Sequence, residues 1–422
     1  MEMKNIFNIL IIFFSSLLLL CGCQNIVPMQ GADKVEGKTA DSNLADNELG
    51  WKWIVEPGKY EDLFFVDDEL IAVKDNKGKY IVININGESV IPFEYDSISK
   101  FNEDVAFVNI DGNFSYIDKN GLSISKDTFQ DGYSFSESYS AVKHNNMWGF
   151  IDLSGNVSIK CQYEEVNSFS ESRAAVKVDN KWGFIDISGE MIIKPLFDKV
   201  RNFKEGAAAV NIDDKWGFVD ISGNFIADIQ YDNVKDFCED YAAVMKNAKW
   251  GFIDKSGKLC IDFKYDDAGN FSEGKASVKL YNYKEGMDAW AYIDKNDNVV
   301  IDFYPYDASE GRIIWIGEFK DGLAFVSKTL YCIIDDKGND VFLGDSEFFI
   351  CSLNYNTEYD AIPGYVYTDD KMIEKKYGLL DLNGNQRLKP IFDYVYGFNG
   401  RFLIVEQIVG GEYKKGVIEL IK

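Results

Sequence analysis

A five-residue element, Trp-Gly-Phe followed by Ile or Val and then Asp, returns at Trp148, Trp182, Trp216 and Trp250, each time 34 residues further on. A constant chain interval of this size marks a repeat architecture. Each unit is one small supersecondary structure that buries its apolar face only against its neighbours. Stepping back by 34 reaches Phe114, in Phe114-Ser115-Tyr116-Ile117-Asp118, and then Tyr80, in Tyr80-Ile81-Val82-Ile83-Asn84. Forward, the spacing loosens to Trp290, Tyr331 and Tyr377, and the extra residues fit loop insertions such as 281–287.

One unit, 182–215, reads as strands throughout. Trp182-Gly183-Phe184-Ile185-Asp186 alternates, so Trp182 and Phe184 share a face. Residues 187–190 form a turn that Asp186 caps and in which Gly189 takes positive φ. A second extended stretch runs from 191 to 200, with Pro195 marking a bulge or bend. Residues 202–206 are a loop with Phe203 tucked inward, and 207–210 form a third strand. The glycine after each tryptophan (Gly149, Gly183, Gly217, Gly251) is read as room for an aromatic from a neighbouring strand to lie on the backbone. The expected fold is therefore all-β: tandem three-stranded antiparallel meanders of about 34 residues. Aromatics at 15% of the chain exclude a disordered one.

The ends leave two arrangements open. Residues 54–57 match 192–195 and 70–73 match the third strand, while 416–420 match the first. The termini thus compose one split unit beside nine whole ones, within an array over 51–422 that carries an insertion at 341–376. A propeller-like ring closes this way. Ten units exceed the usual blade number, so an open superhelical array fits equally.

These motifs resemble the bacterial WG-repeat family over about residues 51–422, most closely in 141–275, where Lys-Trp-Gly-Phe-Ile-Asp, Ser-Gly, Tyr/Phe-Asp and Phe-x-Glu-Gly recur in register. The resemblance implies β repeats, frequent surface location and no general catalytic activity, and it supplies no catalytic residue.

The N-terminus reads as an export signal. Lys4 is followed by an apolar run over 6–20, shorter than a bilayer span, that ends Leu20-Cys21-Gly22-Cys23. This resembles the bacterial lipobox, which implies lipidation at Cys23 after cleavage of residues 1–23. Residues 24–50 are small and polar and read as a flexible tether. The expected place is the cell envelope, outside the cytoplasm, anchored to a membrane through the lipid. Five cysteines remain in the mature part, an odd number without C-x-x-C, so a disulfide framework is not indicated. Cys161 and Cys260 fall on strands and Cys332 takes a glycine position; all three read as small buried thiols.

Function is narrowed mostly by exclusion. With 69 acids against 44 bases the net charge is −25, which disfavours nucleic acid as a partner. His144 is the only histidine and sits in a polar turn, so a Ser-His-Asp or Cys-His arrangement is not expected, nor a zinc site. No phosphate loop or dinucleotide fingerprint occurs, and no cofactor is expected.

Carboxylates are the only repeated chemistry. One column is Asp152, Asp186, Asp220 and Asp254; a second is Glu137, Glu171, Glu205, Glu239 and Glu273; a third is Asp96, Glu164, Asp198, Asp232 and Asp266. Turn formation and solvation account for them, and acidic ladders for Ca²⁺ are the other reading, although the spacing matches no calcium loop. The four tryptophans read as core, with sugar stacking as the alternative. The insertion gathers Phe348, Phe349, Tyr355, Tyr359, Tyr365 and Tyr367, taken as the candidate binding residues because loops on rigid scaffolds often carry recognition. The function expected is a non-catalytic, surface-anchored binding or scaffold protein with an envelope protein or glycan as ligand. An extracellular carboxylate-dependent glycan hydrolase and a purely structural envelope protein are the alternatives.

Overall fold

A computed structural model describes residues 48–284, 287–302, 315–327, 331–343, 349–350, 355–368 and 374–422. The apolar run at 6–20 and Cys23 lie outside them. Among the described residues every regular element is a β-strand, and the strands form ten small antiparallel sheets, eight of four strands and two of three. We number them as blades 1 to 10 in chain order from Asp62.

Blade 5 shows how the sequence builds one. Its first strand is Lys199–Val200, its second Ala207–Ile212, its third Lys215–Asp220 and its fourth Phe225–Tyr231. Asp213 and Asp214, with φ of 49° and 58°, make the tight turn between the second and third strands. Two successive positive φ values match the twist of a right-handed hairpin. Asp220 shapes the next turn: its Oδ1 accepts from the backbone N–H of Ser222 and of Asn224, each at 2.9 Å.

The three-stranded meander expected from the repeat is thus present, with a short leading strand added. The stretch read as one extended segment, 191–200, is divided between two blades: Met191–Phe197 ends blade 4 and Lys199–Val200 opens blade 5. The chain changes sheet at Asp198, which alternation alone does not reveal.

The reason for the glycine after each tryptophan differs from the sequence reading. Trp216 pairs with Tyr231 and Phe218 with Ala227, so four residues of the fourth strand span two of the third. The surplus bulges over Gly217, where a Cβ would stand 2.7 Å from the Ala227 carbonyl oxygen. Gly149 and Gly251 meet the Ile159 and Ile261 carbonyls in the same way, at 2.5 Å. Pro195 lies in the equivalent bulge, its nitrogen 2.8 Å from where a Gly183 Cβ would be. Backbone from the fourth strand, not an aromatic ring, excludes the side chain.

The array closes into a ten-bladed β-propeller. Gly50–Val55 is the fourth strand of blade 10 and pairs with Glu412–Ile421 near the other end of the chain, Gly50 opposite Ile421 and Trp51 opposite Leu420. Among the described residues ten buried apolar clusters follow, each between consecutive blades. Phe218 and Ala227 of blade 5 pack with Phe237 and Val244 of blade 6, and Phe402 and Val417 of blade 10 pack with Leu63 and Val73 of blade 1. At many interfaces the aromatic two residues after the tryptophan position meets the phenylalanine of the next blade's first loop. Phe184 lies 4.9 Å from Phe203 and Phe218 4.9 Å from Phe237, both edge to face. Burying each such ring contributes roughly 1.5–3 kcal/mol, so the core lies between the blades and no blade holds one alone.

Alternation also places the thiols. Cys332 is buried, Cys161 and Cys238 are half-buried, and Cys351 lies outside the described residues. Cys260 is exposed, against the expectation from sequence: its neighbour Ile261 takes the core-facing position on a strand with only one buried face.

Candidate functional site

All three acidic columns have assigned partners, and two of them join blades. In the first column, Asp152, Asp186, Asp220 and Asp254 each cap their own turn by accepting two backbone N–H groups. The Asn224 side-chain amide, then burial, then the backbone donors act on the Asp220 carboxyl, with the net effect of holding it below its ordinary 3.8.

The second column is a relay between blades. Glu137 accepts from the N–H of Glu171 and Ser172 at 2.6 and 2.7 Å. Glu171 accepts from Gly206 at 2.7 Å, Glu205 from Glu239 and Asp240 at 2.8 and 3.0 Å, Glu239 from Gly274 and Glu273 from Gly322, both at 2.9 Å. Glu103 begins the series, accepting from Ser138 at 2.8 Å. Each receiving turn has positive φ at its acidic residue, as at Glu239 and Asp240 with 52° and 71° or at Asp321 with 55°, and so presents adjacent N–H groups to the preceding carboxylate. Partial burial raises the Glu205 carboxyl, but the N–H groups of Asp240 and Glu239 and the Lys255 ammonium outweigh it, and the net shift is downward.

The third column clamps the other ends of the blades. Asp198 receives the Lys181 ammonium of blade 4 at 2.6 Å and the Asp213 N–H of blade 5 at 3.1 Å. Asp232 pairs with Lys215 and accepts the Asn247 N–H, and Asp266 pairs with Lys249 at 2.6 Å and accepts the Tyr281 N–H. Asp96 does the same with Lys79 at 2.5 Å and the Asp111 N–H. Glu164 keeps only the backbone bond, to Asn180, because Met147 stands where its neighbours have lysine. The lysine first, then the backbone donor, holds Asp198 and Asp232 below 3.8. Among the described residues no group of three His, Cys, Asp or Glu side chains is placed to hold a metal ion.

The tryptophans lie between blades. Trp148 and Trp250 are buried in the clusters with the next blade, and Trp182 and Trp216 are half-buried against theirs. Each takes one cation, from the second strand at Lys143 and Lys177 or from the first-strand edge at Arg201 and Lys235, 5.2–5.8 Å from the ring centre. His144 is exposed at the end of its strand.

The aromatic insertion supplies strands of blade 9. Phe349–Ile350 pairs with Ile362–Tyr367, and Phe348 lies outside the described residues. Tyr359 is buried in the cluster between blades 9 and 10. Tyr355 is half-buried and donates to Asp360 at 2.6 Å. Tyr365 and Tyr367 are half-buried on one strand face, edge to face at 5.6 Å, with Lys375 4.1 Å from the Tyr365 ring centre. The fold thus brings Tyr365 and Tyr367 together and turns Tyr359 into core.

A hollow of about 300 Å³ opens where blades 6, 7 and 8 meet, lined by Lys235, Asp267, Gly269, Ser277, Trp290 and Glu318 among others. Of these, sequence reading singled out only Trp290, and only as a repeat position. The signal was present as breaks in the columns: Gly269 where other blades carry Tyr133, Asn167, Arg201 and Lys235, and Ser277 where they carry Ala141, Ala175, Ala209 and Ala243.

The profile of the "WG containing repeat" matches residues 82–114, 114–148, 148–182, 182–216, 216–250, 250–284 and 377–407. No curated protein matches the chain. Among solved structures, a eukaryotic initiation factor is 12% identical, with 84% of this chain and 97% of that chain covered and a TM-score of 0.46. The WD40 domain of SCAP from fission yeast is 9% identical, with 91% and 96% covered and a TM-score of 0.33. A quinonprotein alcohol dehydrogenase-like protein from Bacteroides thetaiotaomicron is 12% identical, with 73% and 90% covered and a TM-score of 0.30.

Proposed function

The chain belongs to the WG-repeat family, and on that premise we propose that it is a non-catalytic binding or scaffold protein of the cell envelope. It is held to a membrane by a lipid on Cys23 and displays its propeller on the tether 24–50 to an envelope protein or glycan. The observation that carries this reading is the engagement of the repeated carboxylates. They hold turns and join blades through backbone N–H groups and lysines, and so serve the ring itself. General acid–base work needs a carboxyl free to exchange its proton with substrate at the operating pH, whereas several of these are held below the ordinary range by their partners. A rigid closed ring suits display of loops and edges to a partner.

Two experiments test the reading. Cys23→Ser should release the protein from the membrane fraction into the medium; full retention there would remove the anchor. The chain used as bait on envelope extract should retain a defined protein or glycan, and a Tyr365→Ala/Tyr367→Ala variant measures what the blade 9 aromatics contribute. Turnover of a glycan panel that disappears with a single carboxylate substitution would overturn the binding reading in favour of a hydrolase.

A further inference from the structure

Blade 7 departs from its neighbours at two positions that touch. Across blades 3 to 6, the residue three places after the conserved carboxylate position (Tyr133, Asn167, Arg201, Lys235) fills the first-strand edge. In three of those blades it packs on the tryptophan of its own sheet: the Tyr133 ring lies 4.9 Å from Trp148, Arg201 5.2 Å from Trp216 and Lys235 5.8 Å from Trp250. Blade 7 has Gly269 there, and among the described residues Trp290 keeps only the second-strand cation, Lys279, at 5.5 Å. Ser277, opposite Tyr292, replaces the alanine of the other blades and brings a hydroxyl to the same place. Blade 8 also carries a glycine, Gly317, at the equivalent point. The missing side chains leave the hollow.

One buried polar atom of the lining has no hydrogen-bond partner among the described residues: Nε1 of Trp290, a residue only 7% exposed. Asn270, next to Gly269, carries another unpartnered atom, its Oδ1, but does not itself line the hollow. The Asn270 amide is fixed by donating to Glu318 Oε1 at 3.0 Å, so its oxygen is not free to swing away. Buried polar groups are nearly always satisfied, and an exception calls for a ligand or a water to complete it. The orphaned atom of the lining is a donor. Around it stand a hydroxyl, two carboxylates at Asp267 and Glu318, and the Lys235 ammonium.

We propose that this hollow binds one neutral sugar unit, a single pyranose ring at a glycan end or free in solution. A hydroxyl both donates and accepts, and so answers Nε1–H, Ser277 and the carboxylates together. An anion would meet Asp267, Glu318 and a chain of net charge −25. A cation would displace or oppose Lys235. The volume stands at the small end of ligand sites and suits one ring with no extended chain inside. The ring's C–H groups have Ile316 and the edge of Trp290 to lie against. This proposal rests on the binding reading above and narrows it.

The test is ligand-observed saturation-transfer NMR with the purified full chain, neutral monosaccharides and their methyl glycosides, followed by titration. One or more of these should bind. Gly269→Lys with Ser277→Ala, which restores what blade 6 carries, should abolish binding. Trp290→Phe keeps an aromatic side chain, though a smaller one, and removes Nε1–H; it should weaken binding by about tenfold, the value of one hydrogen bond, and stands as a second probe should the double variant fold poorly. A methyl glycoside binding as well as the free sugar points to a glycan end; loss with the methyl group points to the free monosaccharide. Binding unaffected by either variant would overturn the site. So would a hollow that takes up water only, or one that takes a basic peptide lost with Asp267→Asn. In those cases a partner retained from envelope extract by other surfaces would leave the broader binding reading intact.

Discussion

The backbone of Gly269 lies against the side chain of Ser277, so that a Cβ on residue 269 would overlap Ser277 Oγ and stand 3.5 Å from its Cβ. The two exceptions to the repeat in blade 7 are therefore coupled. Gly269→Ala should cost about 1 kcal/mol with Ser277 present, because the hydroxyl must rotate away. In a Ser277→Ala background, which reproduces the alanine of blades 3 to 6, the same change should cost almost nothing. A double-mutant cycle by urea denaturation measures the coupling, and additive effects would show that the two residues do not meet.

The glycines fall into two kinds with different penalties. Gly217 has ordinary φ but faces the Ala227 carbonyl, which cannot rotate aside. Gly217→Ala should cost on the order of 2–3 kcal/mol. Gly206 has nothing within 4 Å of a Cβ but holds φ of +80°. Gly206→Ala should cost about 1–2 kcal/mol from backbone conformation alone. Thermal melts of the two variants side by side give the order, and a Gly217→Ala protein as stable as the parent would contradict the bulge.

Glu205 ties blade 5 to blade 6 through two backbone donors. Glu205→Ala should remove about 1–3 kcal/mol, discounted for partial exposure of the carboxylate, and Glu205→Gln about half of that. Blades need not unfold as one unit, so the sharper readout is hydrogen exchange. The amides of Glu239 and Asp240 should lose protection before those of the strand core.

Acid should loosen the ring in a defined window. Asp96, Asp198, Asp232, Asp220 and Glu205 all have folded-state carboxyls below their ordinary values. The stability each gives is fully present above the unfolded range near pH ~4 and is lost as pH falls through the lowered folded values. The melting temperature should hold from pH 7 to about 5 and decline steeply below about 4. Circular dichroism melts across that range check it, and a flat profile down to pH 2 would mean the carboxylate straps contribute little.

Much of the fold was legible because the repeat reports on itself. Trp182 and Phe184 stand two apart on one strand, and Phe203 returns at a fixed offset, so strand and core positions follow from period alone. The bulge over Gly183 was not legible, since its cause is backbone of the fourth strand folding over the third, and backbone leaves no residue signature beyond Pro195. The role of Glu205 was hidden for another reason. Its partners are main-chain N–H groups 34 and 35 residues away, and sequence shows only that the acid recurs. Gly269 and Ser277 were hidden because a reading built on recurrence treats a single break as noise. Here the break is what opens space.

Pairing Gly50–Val55 with Glu412–Ile421 sets an order on how the molecule comes into being. A chain is synthesised from its N-terminal end, so Gly50–Val55 has no partner until Glu412–Ile421 emerges. Until then blade 1 faces open solvent where blade 10 will sit, and the apolar surface of Leu63, Ile71 and Val73 stays uncovered. The ring thus shuts by a clasp between strands far apart in the order of synthesis, and a product ending before Tyr413 would remain an unfastened bracelet with two sticky ends.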